Sequence, residues 1–224
     1  MFDDLKNSFD FYLRNKFRIS RKNFVETNKD LIERNQLENL YTKNILEKHF
    51  SEIKKDKINV LDIGCKNWFY AKGEHEFFEN FCKSFKLDGV ENDAFTLYSN
   101  FYNRYEVSKY YTKGLNNTNY IAGNLLDLKE NYDYIIWLLP FVIKEPHIYW
   151  GLPKKYFYPK KLLAHAYNLL NKNGQMLIIN QGEEEFEAQK ILLQDLKIGY
   201  KDLGEITSDY FQYKNKRFGA LIVK

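Results

Sequence analysis

The sequence predicts an α/β fold: a doubly wound, mostly parallel seven-stranded sheet with a terminal antiparallel strand pair and an N-terminal helical cap. Three observations predict it. From Lys57 onward, short apolar runs alternate with segments of helical spacing, the order that builds parallel strands covered on both faces. Before that point, apolar residues recur only at helical intervals. At the far end, two strand-like runs follow one another with no helix between them, so the last pair is antiparallel.

Taken in order, Phe2, Leu5, Phe9, Tyr12 and Leu13 repeat at helical spacing, and Leu31, Ile32, Leu40, Tyr41, Ile45, Phe50 and Ile53 trace a longer stripe. Residues 1–55 therefore form a helical extension whose apolar faces need a partner surface, and residues 56–224 form the α/β domain. "INVLDIG" is a buried strand, "GEHEFFENFCKSF" a helix, "KLDGVEND" a short strand ending in acids, and "AFTLYSNFYNRYEVSKYYTK" a helix. "NYIAGNLLDL" is a strand running into a loop, and "YDYIIWLLP" an apolar strand stopped by Pro140. "YPKKLLAHAYNLLNKNG" is a helix closed by Asn173 and Gly174, "QMLIINQG" a strand, and "EEEFEAQKILLQDLK" a helix with acids in its first turn. "RFGALIVK" is the final strand.

Composition sets limits on function. Aromatics make up 17% of residues while Gly numbers 11 and Pro 4, which excludes a low-complexity or disordered chain. Two cysteines, Cys65 and Cys82, are too few for a disulfide framework and lack metal-site spacing, so no metal is expected. The N-terminus carries early acids and no unbroken apolar run, which argues against a signal peptide or membrane span and for a cytoplasmic protein. A net charge of +4 with both signs interspersed permits an RNA partner without arguing for one, and oligomeric state is not legible.

In a doubly wound sheet, ligands bind outside the carboxyl ends of the strands. Candidates are Asp62, Gly64, Cys65 and Lys66 after the first strand, Glu91 and Asn92 after the second, Asn124 and Leu125 after the third, and Leu138 to Pro140 after the fourth. Gly64 lets backbone approach a ligand, and Glu91 can accept hydrogen bonds from two ribose hydroxyls. No Gly-rich turn is present to cradle a pyrophosphate, which disfavours NAD or ATP.

The motifs "VLDIGC", "LDGVEND", "YIAGNLLDL", "YDYIIWLLP" and "LLNKNGQMLIINQG" resemble, in order and spacing, those of class I S-adenosylmethionine-dependent methyltransferases, over roughly residues 57–224. The resemblance implies S-adenosylmethionine as cofactor, with Asp62 and Gly64 at its methionine portion, Glu91 at the ribose, and Asn124 with Leu125 at the adenine. The chain departs from the family where Cys65 and Lys66 follow the first glycine and where Asn124 replaces an aspartate. "LLPF", Leu138 to Phe141, stands where amino-directed nucleic-acid methyltransferases carry Asp/Asn-Pro-Pro-Tyr, so transfer to a base amine is disfavoured.

The acceptor is expected among residues 141–161, a long connection carrying Glu145, His147, Tyr149 and Trp150, and among Pro140, Phe141, Asn180, Gln181 and Arg104. His147 is the first candidate for a general base because imidazole titrates near neutrality, and Glu145 the second. The leading expectation is a methyltransferase on a small-molecule acceptor. An RNA methyltransferase would need a continuous basic groove, and a non-catalytic domain of this fold would have Trp68 or Lys66 filling the pocket.

Overall fold

The computed structural model describes residues 29–98 and 101–224. The predicted stripe from Phe2 to Leu13 lies outside them. In chain order the elements are α1 (Lys29–His49), β1 (Ile58–Ile63), α2 (Ala71–Phe81), β2 (Phe85–Glu91), α3 (Arg104–Tyr111), β3 (Thr118–Ala122), β4 (Tyr132–Leu138), α4 (Lys144–Tyr149), α5 (Pro159–Leu169), β5 (Leu170–Gln181), α6 (Gly182–Asp195), β6 (Lys201–Glu205) and β7 (Arg217–Val223).

The strands form one sheet in the order β3-β2-β1-β4-β5-β7-β6. All pairs from β3 to β5 are parallel, and β7 runs antiparallel to both its neighbours. Strand order reverses between β1 and β4, which puts a crevice at their carboxyl ends. Because side chains alternate along a strand, the central strands feed two cores. Val60, Leu87, Tyr134, Ile136 and Leu177 pack with Tyr41 and Ile45 of α1 and Phe77 and Phe78 of α2. Leu61, Val90, Ile135, Met176 and Ile178 pack on the other face with Leu163 of α5 and Leu193 of α6. The described helix of the N-terminal segment thus shares a core with the sheet.

Two predicted elements are corrected. Among the described residues, the helix expected across residues 94–113 is confined to α3, because Asn103 accepts the Glu106 N–H and Glu106 accepts that of Asn103, a capping box that starts a helix there. The helix expected to close at Asn173 and Gly174 ends at Leu169, because Leu170 pairs with Tyr132 as β5 begins, before a register shift to Tyr134 and Gln175. Asn173 does adopt the left-handed backbone, at φ 64°, but inside that irregular strand start. The connection at 141–161 contains α4 and a short 3₁₀ turn, Lys154–Tyr156.

Candidate functional site

The carboxyl ends of the strands open into one cavity of about 760 Å³. Its floor begins where β1 turns. Gly64 has φ +74°, and a Cβ there would meet nothing within 4 Å because it would stand in the cavity itself. Lys66, where the sequence departs from the family pattern, also adopts a left-handed backbone, φ 58°, which costs a non-glycine residue roughly 1–2 kcal/mol. Its neighbours hold it there: the Lys66 N–H donates to Glu91 Oε2 at 2.8 Å, and the Tyr120 hydroxyl donates to the Lys66 carbonyl. The Lys66 ammonium lies 4.2 Å from the centre of the Trp150 ring, and burial depresses its pKa.

Trp68 is fully buried beneath this loop and is absent from the cavity wall. Its Nε1–H donates to Glu74 Oε2 at 2.8 Å, and its ring lies over Gly89, where a Cβ would come within 2.8 Å of it. The glycine of "LDGVE" therefore makes room for the tryptophan of the loop.

Glu91 ends β2 with each oxygen engaged once by backbone, Oε2 by Lys66 and Oε1 by the Asp93 N–H at 2.7 Å. Arg104 lies 3.7 Å from Glu91 Oε1 and 3.0 Å from Asp93 Oδ2. A carboxylate has about four lone-pair positions, so two remain to accept from a ligand. Asp62 stands behind the wall, fully buried, with Oδ2 accepting from the Tyr70 hydroxyl at 2.9 Å. Burial pushes its pKa up to about 7, and the nearby Glu91 charge adds to the shift, while the Tyr70 and Trp68 donors oppose it. Burial, reinforced by Asp62, raises Glu74 well above the usual carboxylate range. Cys65 is buried too, and burial raises its thiol, so it is an unreactive packing residue.

At the third strand, the Gly123 N–H donates to the Glu91 carbonyl at 3.0 Å, and Asn124 Oδ1 caps the turn Leu125–Asp127 by accepting the Leu126 N–H at 3.0 Å. Beyond β4, His147 is wedged between Phe141 and Phe157, ring centres 5.7 and 5.4 Å away, and its Nε2 donates to the Pro153 carbonyl at 3.1 Å. That bond leaves Nδ1 as the basic nitrogen of the neutral ring.

The sequence candidates divide accordingly. Gly64, Lys66, Glu91, Asn92, Asn124, Leu125, Leu138, Pro140, Phe141, His147, Trp150, Gln181 and Arg104 line the cavity. Asp62, Cys65 and Asn180 are fully buried outside its lining, Glu145 is exposed outside it, and Tyr149 points to solvent at 90% exposure. Sequence reasoning passed over the far end and the roof. There Arg34 Nε donates to Glu38 Oε1 at 2.7 Å, the Tyr213 hydroxyl to Glu38 Oε2 at 2.9 Å, and Arg217 Nη1 to Gln181 Oε1 at 2.8 Å. Gln181 apart, no local pattern marks these residues, since Glu38 and Tyr213 meet across 175 positions of chain. Among the described residues, no group of three or more His, Cys, Asp or Glu side chains could hold a metal ion, and no helix is long and apolar enough to cross a membrane.

No family model and no curated protein matches the chain. Solved structures do. An S-adenosylmethionine-dependent methyltransferase from Aquifex aeolicus is 16% identical with a TM-score of 0.56, over 84% of this chain and 92% of that one. The plantazolicin methyltransferase BpumL, solved with SAH, is 14% identical with a TM-score of 0.53, over 99% of this chain and 98% of that one. Magnesium protoporphyrin IX methyltransferase from Synechocystis PCC 6803, with bound SAM, is 12% identical with a TM-score of 0.51, over 98% of this chain and 96% of that one. At such identities the likeness is one of architecture: the chain has the Rossmann-like, seven-stranded fold of the class I S-adenosylmethionine-dependent methyltransferases.

Proposed function

We propose that this chain is an S-adenosylmethionine-dependent methyltransferase acting on a small-molecule acceptor. The observation that carries the reading is one continuous cavity that joins Gly64, Lys66 and Glu91 to Trp150, Gln181 and Arg217 along the carboxyl edge of the sheet. Its 760 Å³ sits in the upper part of the range for ligand sites, with space for a cofactor and a modest acceptor together.

The residues present suit the cofactor. Gly64 offers open space where a side chain would intrude, Glu91 keeps acceptor capacity for two hydroxyls, and Asn124 retains a lone pair on Oδ1 and one Nδ2 hydrogen, the other reaching the Tyr158 hydroxyl at 3.5 Å. In this reading Gly64 and the Lys66 ammonium hold the methionine portion, Glu91 the ribose, and Asn124 with Leu125 the adenine. When bound, the cofactor supplies a methyl group activated by its sulfonium, and transfer leaves a neutral thioether. The chain's own contribution is alignment and exclusion of water: Phe141, His147 and Trp150 wall the segment between the cofactor loops and Gln181. His147 Nδ1 is the nitrogen that would take a proton from a protonated acceptor.

Two observations favour this over the alternatives. The cavity wall carries four basic residues, Arg34, Lys66, Arg104 and Arg217, and four acids, Glu38, Glu91, Asp93 and Glu185, a balance that suits a small polar ligand better than RNA. Trp68 packs beneath the loop, and Lys66 lies in the wall against Trp150 with about 760 Å³ still open, which weighs against a non-catalytic relic. Calorimetric titration with S-adenosylmethionine and S-adenosylhomocysteine tests the reading. Binding in the micromolar range, weakened at least about tenfold by Glu91→Ala, is expected; no heat at millimolar cofactor with folded protein would sink it.

A further inference from the structure

Three arginines line the cavity, and two of them bond to carboxylates, Arg34 to Glu38 and Arg104 to Asp93. Arg217 does not. It is 8% exposed, its Nη1 donates to the neutral amide oxygen of Gln181, and its guanidinium lies 4.3 Å from the centre of the Tyr213 ring. No carboxylate oxygen of the described residues comes within 4.0 Å of it. A guanidinium held out of water with one hydrogen bond to a neutral group is costly unless something completes its shell, and here the residue lines the cavity.

A second, independent observation points the same way. Tyr41, in the same wall, is 4% exposed, and among the described residues its hydroxyl has no hydrogen-bond partner. An unmet buried hydroxyl is itself unfavourable, and such groups mark places where a ligand or water belongs. Its ring meets Tyr213 edge-on at 5.1 Å, so Tyr41, Tyr213 and Arg217 make one cluster of ring faces and donors.

Among the described residues, the acids nearby make no ion pair with Arg217. Glu38 is already engaged by Arg34 and Tyr213. Glu185 accepts the Gln181 N–H at 2.9 Å. Arg217 opens β7 opposite Gln181, the last residue of β5. It therefore stands two strand spacings, about 10 Å, from the edge of β4, on the side away from Glu91.

We propose that Arg217, with Gln181 and Tyr41, forms a carboxylate-binding subsite for the acceptor, so that the acceptor is a small organic acid anchored by its carboxylate and methylated at another atom. The planar fork of Arg217 suits a carboxylate, and the Tyr41 and Tyr213 rings suit an apolar or aromatic body. The inference rests on the cavity being the acceptor site of the proposed methyltransferase, and its test separates the two ideas.

The probes are benzoate and its neutral isostere benzamide, titrated by ligand-observed NMR into wild type, Arg217→Gln and Arg217→Lys, with and without S-adenosylhomocysteine. Expected are at least tenfold tighter binding of benzoate than benzamide to wild type, loss of that preference in Arg217→Gln, and an intermediate preference in Arg217→Lys, which keeps the charge but not the fork. S-adenosylhomocysteine affinity should stay within twofold in both variants. Equal binding of the two probes to wild type, absence of benzoate binding, or a preference surviving in Arg217→Gln overturns the subsite. Benzoate preference without any S-adenosylhomocysteine binding supports the subsite while removing the methyltransferase reading. Thermal melting confirms folding, and if Arg217→Gln does not fold, wild type and Arg217→Lys still decide.

Discussion

Gly73 is where the roof of the cavity is fastened, and Gly73→Ala tests that directly. A Cβ at this position would lie 2.2 Å from the Asn39 carbonyl oxygen of α1 and 2.9 Å from its carbon, against an ordinary contact of 3.4–4 Å. The added atom meets helix backbone, so α1 must withdraw by about 1 Å from α2. Withdrawal stretches two bonds that tie the helices together: Gly73 N–H to Asn39 Oδ1 at 2.7 Å, and Asn39 Nδ2 to the Phe69 carbonyl at 2.9 Å. Each contributes about 1 kcal/mol, overpacking adds about 2, and the better helix propensity of alanine returns about 1. The expected loss is about 3 kcal/mol, or a melting temperature about 6–12 °C lower for a chain of this size. Differential scanning calorimetry reads it, with Gly199→Ala as control, since a Cβ there meets nothing within 4 Å. Melting of Gly73→Ala within about 2 °C of wild type would refute the docking of α1 on α2 as the fastening of the roof.

Two further outcomes follow from the floor. Asp62 has a folded pKa raised from 3.8 to about 7, so the folded chain keeps a proton that the unfolded chain releases, and its contribution to stability is lost as pH rises from about 4 through 7. Urea unfolding of wild type and Asp62→Asn across pH 4–8 should therefore diverge in favour of the variant as pH rises, by at most about 4 kcal/mol, and parallel curves would contradict the buried carboxyl. Gly64→Ala adds a methyl group to open cavity at φ +74°, so it should cost only about 1–2 kcal/mol of stability yet weaken S-adenosylhomocysteine binding at least tenfold; unchanged affinity by calorimetry would place the ligand elsewhere.

Much of the site was legible because sheet topology turns a list of strand ends into a place. Once "VLDIG", "LDGVE" and "YIAGN" are parallel strands of one sheet, Gly64, Glu91 and Asn124 must share its carboxyl edge, and all three line the cavity. At Lys66 the sequence showed only the departure from the family; that the backbone there is left-handed and held by Glu91 and Tyr120 came from the structure. The direction taken by Trp68 was not legible, because it depends on the space over Gly89 in the neighbouring strand.

Periodicity, a local property of the chain, determined the doubly wound sheet and the antiparallel finish, and with them which strand ends share the carboxyl edge. Only the tertiary structure decided which candidates face the cavity and which stand behind it, as Asp62 does, and only it brought Tyr41, Gln181 and Arg217 to one wall. The reason is physical: a residue's periodic environment reports the face it buries, whereas its partner across a sheet or under a helix is set by long-range packing, here across 36 residues from Gln181 to Arg217 and 175 from Glu38 to Tyr213.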